Sequence, residues 1–249
     1  MQPHKVVSYE EWLKARKAHL KNEKALTRMS DMLARERREL PWVKVEKRYA
    51  FDTPEGKKTL ADLFGKNSQL IVQHLMWRHD LDQGCVGCSL HTDHAQGAHP
   101  HLANHDVSFV VVARAPLDKL LAYGKRMGWT TPWASSLDSD FNFDFHVSFT
   151  KDELAKDTVY YNYQDIPSGQ AFDELPGLSV FIKHDGAIYH TYSSYARGNE
   201  EAISAFYYLD LTPKGRNETE IMDWVKRHDE YGTSPQSCCH SSAPASKTA

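Results

Sequence analysis

Cysteine is scarce in this chain. Four occur in 249 residues, as Cys85/Cys88 and Cys238/Cys239. That excludes a small secreted scaffold stapled by disulfides. The expectation is instead a cytosolic protein whose cysteines do chemistry. Long apolar runs are also missing. None approaches the roughly 18 residues that a membrane helix needs, so no membrane partner is expected. The opening ten residues hold no apolar h-region, and no secretory signal is expected. Neither sign of charge dominates: 30 Lys and Arg face 33 Asp and Glu, for a net −3 with His neutral. Bulk attraction to nucleic acid is thereby excluded. No G-x-G-x-x-G and no P-loop occurs, so no tightly bound organic cofactor is expected. What is present, 41% apolar and 25% charged residues, is the composition of a soluble globular protein.

The most informative segment is Gly84-Cys85-Val86-Gly87-Cys88-Ser89. An apolar, strand-like run, Leu70-Ile71-Val72-Gln73-His74-Leu75-Met76, precedes it. A C-x-x-C after a strand and at the mouth of a helix reads as a redox dithiol more readily than as a zinc half-site. Two thiols at this spacing can close a small disulfide ring. A helix N-terminus lowers the pKa of the first of them.

The rest of the chain supplies the frame. Residues 8–39 read as an amphipathic helix that opens on a Ser8/Glu11 capping box and ends at Pro41. Its apolar stripe should pack on the main domain or on a second subunit. Residues 43–60 read as a strand hairpin turning at 52–56. Residues 60–65 form a short helical turn closed by Gly65. After the 69–76 strand, helical character resumes at Cys85 or Cys88, and Gly97, Ala98 and Pro100 suggest a loop. Residues 105–113 form a buried strand, and 116–127 a helix between Pro116 and Gly128. This is a right-handed parallel crossover. Residues 129–150 read as an aromatic-rich loop leading into an alternating strand, and 160–163 as a short strand or insertion. Residues 178–192 form an antiparallel hairpin, and two helical segments follow at 199–209 and 218–228. The order β-α-β-α-β-β-α is thioredoxin-like. The division expected is an N-terminal helical extension (1–41), a thioredoxin-like domain (42–231) and a disordered Ser/Pro/Ala-rich tail (232–249) carrying Cys238 and Cys239.

Further motifs carry a resemblance. They include Arg114-Ala115-Pro116-Leu117, Pro132-Trp133-Ala134-Ser135-Ser136 and Asp140-Phe141-Asn142-Phe143-Asp144-Phe145. Pro176-Gly177-Leu178-Ser179-Val180-Phe181 and His190-Thr191-Tyr192-Ser193-Ser194-Tyr195-Ala196-Arg197-Gly198 follow. With the C-x-x-C segment they resemble the thioredoxin-like bacterial proteins of domain-of-unknown-function family 899, over roughly residues 8 to 231. The resemblance implies an α/β thioredoxin-like fold, with a central mixed sheet flanked by helices and an N-terminal helix and hairpin extension. It also implies a dithiol–disulfide oxidoreductase. Two features depart from the family: Ala113 stands before Arg114 where Ser is more usual, and the stretch after Ser89 is rich in histidine.

In the redox reading Cys85 attacks as thiolate and Cys88 resolves the mixed disulfide. Arg114, directly after a buried strand, and His79 are the cations expected to favour the thiolate. The resemblance makes Pro176 the cis-proline that faces the dithiol. The partners expected are a disulfide or small-thiol substrate and an electron donor, and a homodimer through the N-terminal helix is left open. A second reading is a metal-binding protein. Zinc, copper or a thiophilic metal would be held by Cys85 and Cys88 with His91 and His94, or with Cys238 and Cys239 in the tail. A third is a non-catalytic scaffold of the same fold. Asp140, Asn142 and Asp144 do not make a calcium loop, because no bidentate Glu closes it at the twelfth position.

Overall fold

A computed structural model describes residues 4–77 and 81–232. The long helix α1 (Tyr9–Glu39) begins where Ser8 and Glu11 exchange hydrogen bonds in a capping box. No residue of α1 is buried, and Trp12, Leu26, Met29 and Leu33 remain exposed. Its apolar stripe therefore does not pack on the body of this chain. Near its C-terminal end, Arg37 lies over the Tyr192 ring at 4.8 Å.

Beyond it come β1 (Val43–Lys44), β2 (Ala50–Thr53), β3 (Gly56–Thr59), α2 (Leu60–Leu63) and β4 (Gln69–His74). Then follow α3 (Val86–Asn104), β5 (Val107–Ala113), α4 (Leu117–Arg126), β6 (Trp133–Ser135), α5 (Phe141–Asp144) and α6 (Lys151–Leu154). The chain continues through β7 (Thr158–Tyr161), β8 (Gln164–Pro167), β9 (Gly177–His184), β10 (Ala187–Tyr195) and α7 (Ser204–Asp210). Among the described residues, no helix is long and apolar enough to cross a membrane.

Eight strands form one mixed sheet in the order β1-β10-β9-β4-β5-β6-β2-β3, and β7 and β8 pair apart from it. Strands β4, β5 and β6 are parallel; β9 runs antiparallel to β4, and β10 to β9. The inner order β10-β9-β4-β5, with α3 crossing from β4 to β5, is the thioredoxin-like arrangement. Both sheet faces are covered, which explains the unbroken apolar run of β5. Val110 and Val112 enter a core with Phe51, Phe141 and Phe181. Phe109, Val111 and Ala113 enter the opposite one with Leu75, Tyr123 and Trp133. Register then positions the site. His74, the last residue of β4, lies opposite Gly177 of β9, so Pro176 arrives beside the segment that leaves β4 for the cysteines.

Five expectations are corrected. Val43 and Lys44 do not join the 50–59 hairpin but pair with β10 at the far edge of the sheet. Helix α3 runs through Pro100. Pro100 lacks a donor, yet His99 packs on Phe109 at 5.2 Å and Leu102 on the core, and this packing outweighs the break. Residues 141–144 form a helical turn rather than a strand, which sends Phe141 and Phe145 into one core. Residues 218–228 form turns instead of a helix. There Asp223 accepts from the Thr219 and Glu220 amides, and Glu218 from the Met222 amide and the Trp224 indole. Side chains thus take donors that a helix would use. Finally, no peptide bond among the described residues is cis, so Pro176 holds its place by the dithiol in the trans form.

Candidate functional site

Cys85 is the N-cap of α3, and Cys88 lies in its first turn. The cap is held from three directions. The Cys85 amide donates to the Met76 carbonyl at 3.1 Å. The Cys85 carbonyl accepts from the Ser89 amide at 2.9 Å and from Ser89 Oγ at 2.7 Å. Both cysteines are free thiols; Cys85 is partly exposed and Cys88 buried.

Their environments drive the two thiols apart. A hydrogen bond from Cys88, the amides of Cys88 and Gly87, and the charge of Arg227 together bring the Cys85 pKa down to about 6, against the opposing effect of burial. The same pairing and complete burial push the Cys88 thiol well above its ordinary value. One sulfur is a thiolate at neutral pH while its neighbour keeps its proton.

The cation beside Cys85 is therefore Arg227, from the far end of the chain. It is buried, donates to the Gly84 carbonyl at 2.6 Å and to the Tyr123 hydroxyl at 3.1 Å, and pairs with Glu230. Tyr123 in turn meets Ser89 Oγ at 2.7 Å. Arg114 does not line the dithiol pocket. It lies over the Phe143 ring at 4.4 Å and faces Glu174 at 3.8 Å. His79 lies outside the described residues.

Glu174 is the residue that sequence reasoning missed most completely. It is 2% exposed, accepts from the Trp77 amide at 2.7 Å, and has Ser148 Oγ at 3.4 Å. Burial pushes its pKa up to about 8, and the Arg114 charge only partly offsets this. It is near enough for its charge to raise the Cys88 thiol further. Gln73 was passed over too. Its amide donates to the Cys88 carbonyl at 2.9 Å, which also accepts from Thr92 at 3.0 Å. A glutamine and a histidine inside the apolar 69–76 run were the available signals. For Glu174 and Arg227 the sequence carries none.

A cavity of about 300 Å³ opens onto this dithiol. Its wall includes Cys85, Cys88, Pro176, His91, Ile203 and Met222. His74 also lines it. Its Nε2 meets Ser179 Oγ at 2.8 Å; Ser179 meets Ser193 at 2.8 Å, and Ser193 meets His190 Nε2 at 2.8 Å. Burial holds His74 down at about 3 and His91 at about 4, so both walls are uncharged at neutral pH. Tyr161 ties the far side, donating to the Pro176 carbonyl at 2.6 Å and accepting from the Ala196 amide at 3.1 Å.

The metal reading finds little support in this geometry. Among the described residues, no three His, Cys, Asp or Glu side chains are arranged to hold a metal ion. His91 is buried in the cavity wall, whereas His94 turns to Ser204 at 2.8 Å. Cys238 and Cys239 lie outside the described residues.

Exchanging Arg227 for Gln should raise the pH midpoint of Cys85 alkylation above about 6. It should still remain below the ordinary thiol value, because Cys88 and the helix amides stay in place. The pH dependence of iodoacetamide labelling at Cys85 measures this. An unmoved midpoint would mean that Arg227 only braces the loop.

Similar solved structures include a cysteine-to-serine variant of peroxiredoxin Q from Xanthomonas campestris. It is 11% identical, with 69% of this chain and 94% of that one covered, at a TM-score of 0.43. Peroxidoxin BcpB from Mycobacterium tuberculosis is 11% identical, with 68% and 97% covered, at 0.42. No curated protein matches the chain in sequence. The model of the bacterial proteins of unknown function DUF899 matches residues 1–231, and the chain belongs to that family.

Proposed function

We propose that this protein is a thiol–disulfide oxidoreductase with Cys85 as nucleophile and Cys88 as resolving thiol. The observation that carries the reading is the split between the two sulfurs: Cys85 at about 6 on a helix N-cap, and Cys88 buried and raised. In the first step the Cys85 thiolate attacks one sulfur of a disulfide R–S–S–R. A Cys85–S–S–R bond forms, the substrate S–S bond breaks, and RS⁻ leaves. In the second step Cys88 loses its proton and attacks Cys85 Sγ, releasing the second RS⁻. The substrate gains two electrons and the dithiol loses two. An external dithiol then reduces the Cys85–Cys88 disulfide.

The second step needs an acceptor for the Cys88 proton. Glu174 is the nearby buried carboxyl; with a pKa of about 8 it is mostly protonated at neutral pH, and its carboxylate fraction, a stronger base than an ordinary carboxylate, is the form that takes the Cys88 proton. Arg114 belongs to this step rather than to the first: facing Glu174, it supports the carboxylate that must be present before the proton arrives. Pro176 presents the carbonyl end of its peptide to Tyr161 and closes the cavity opposite the sulfurs.

The test is intact mass of the reduced protein before and after a small disulfide. The expected product has lost two hydrogens, maps to a Cys85–Cys88 link, returns to the starting mass with a dithiol reductant, and is indifferent to chelator. Thiols that become reactive only after chelation would favour the metal reading instead.

A further inference from the structure

Resting on that reading, we propose that the Cys85 site takes an uncharged, apolar, low-molecular-weight disulfide, and that residues 196–227 of this chain exclude disulfides held in folded proteins. Size is the first argument. The cavity over the dithiol is about 300 Å³, at the lower end of small-ligand pockets.

Wall chemistry is the second. Pro176, Gly177, Ile203, Ile221 and Met222 supply apolar surface around the sulfurs. Arg197 and Glu200, which line the cavity, belong to a chain of ion pairs. Arg197 pairs with Glu200 at 2.8 Å, Glu200 with Arg216 at 3.0 Å, and Arg216 with Asp210 at 2.8 Å. Paired in this way, Arg197 and Glu200 offer a charged ligand no unpaired partner among the described lining residues, and an unpaired charge entering the apolar cavity would lose its hydration without compensation.

The third is how firmly the cover is fixed. Ile203, Phe206 and Val225 pack with Leu90 of α3, the helix that carries the cysteines. Arg227 is bonded to Gly84, next to Cys85. Met222 is seated on the C-x-x-C turn itself: a Cβ added to Gly87 would come within 2.8 Å of Met222 Sδ. Met222 is held there with φ 65°, a left-handed conformation that non-glycine residues seldom adopt. A protein disulfide would have to displace this cover, which the buried Ile203, Phe206, Val225 and Arg227 anchor, whereas a small disulfide would enter beneath it.

The experiment measures single-turnover rates of reduced protein with dipropyl disulfide, dithiodipropionate and insulin, each divided by its rate with a free thiolate. Dipropyl disulfide and dithiodipropionate share a chain length and differ in charge. The normalised rate should favour dipropyl disulfide by at least about tenfold over dithiodipropionate, equivalent to ~1.4 kcal/mol, and by more over insulin. Two variants keep the account falsifiable. Ile221→Arg, at a largely exposed lip position, should move the preference toward dithiodipropionate. Met222→Gly removes the side chain over Gly87 and suits the left-handed backbone, so it should fold and raise the insulin rate. Equal normalised rates, unchanged by either variant, would overturn this inference and leave the exchange mechanism standing. No reaction at Cys85 with any probe would overturn both.

Discussion

Cys85→Ser is expected to slow disulfide reduction by on the order of 10³ or more, the range in which loss of a covalent nucleophile falls. The hydroxyl that replaces the thiol does not ionise near neutral pH and does not attack sulfur. Cys88 cannot take over. Part of what raises its pKa is the pairing with Cys85 and disappears, but burial remains and keeps the thiol protonated. At 5% exposure it also offers little surface to an incoming disulfide. Single-turnover stopped-flow with excess protein reads the first step directly. A variant retaining a tenth of the wild-type rate would show that Cys85 is not the attacking group.

Glu174→Gln should change how stability depends on pH. The folded-state pKa of Glu174 is about 8, against an ordinary value of 4.5. A carboxyl raised in this way binds its proton more tightly when folded. Its stabilising contribution is complete below the unfolded value and is lost as pH rises toward 8. The loss is bounded at ~5 kcal/mol by the size of the shift, in which the opposing charge of Arg114 at 3.8 Å is already included. Cys85, with a depressed folded pKa, contributes a slope of the opposite sign: its stabilisation is present above the unfolded thiol value and is lost as pH falls through about 6. The comparison therefore belongs in a Cys85→Ser/Cys88→Ser background. Urea midpoints should agree near pH 4, below the unfolded value, where both side chains are neutral in the folded and largely so in the unfolded protein. By pH 9 the Gln variant should be the more stable. Parallel curves across that range would mean that burial does not raise the Glu174 pKa, which would leave its carboxylate too weak a base to take the Cys88 proton readily.

The parts of the fold that could be read from the sequence are those with local causes. Ser8 and Glu11 announce the start of α1 and form their capping box. The alternating and continuous apolar runs announce β4, β5 and the β9–β10 hairpin, whose Asp185-Gly186 turn has both φ values positive. The C-x-x-C falls at a helix N-cap as its spacing after a strand suggests. What escaped has non-local causes. Arg227 reaches Gly84 across 143 residues, and Glu174 reaches Trp77 across 97. No periodicity encodes such meetings; the register of β4 against β9 and the path of the C-terminal segment create them. The helix expected over 218–228 failed for a local reason that pattern reading undervalues, since Glu218 and Asp223 compete for backbone donors. The cis form expected of Pro176 came from the resemblance rather than from its neighbours, and the trans peptide still delivers Pro176 to the cavity wall.

One measurement bears most directly on the central claim that Cys85 attacks and Cys88 resolves. Reduced Cys88→Ser protein is mixed with a small disulfide, quenched with acid and mapped by peptide mass. The account predicts a stable one-to-one adduct on Cys85, formed at a rate that follows the thiolate fraction, with a midpoint below the ordinary thiol value because the helix amides and Arg227 remain, and released by a dithiol reductant. An unmodified Cys85, or an adduct that forms equally on Cys88 in the Cys85→Ser protein, would contradict it.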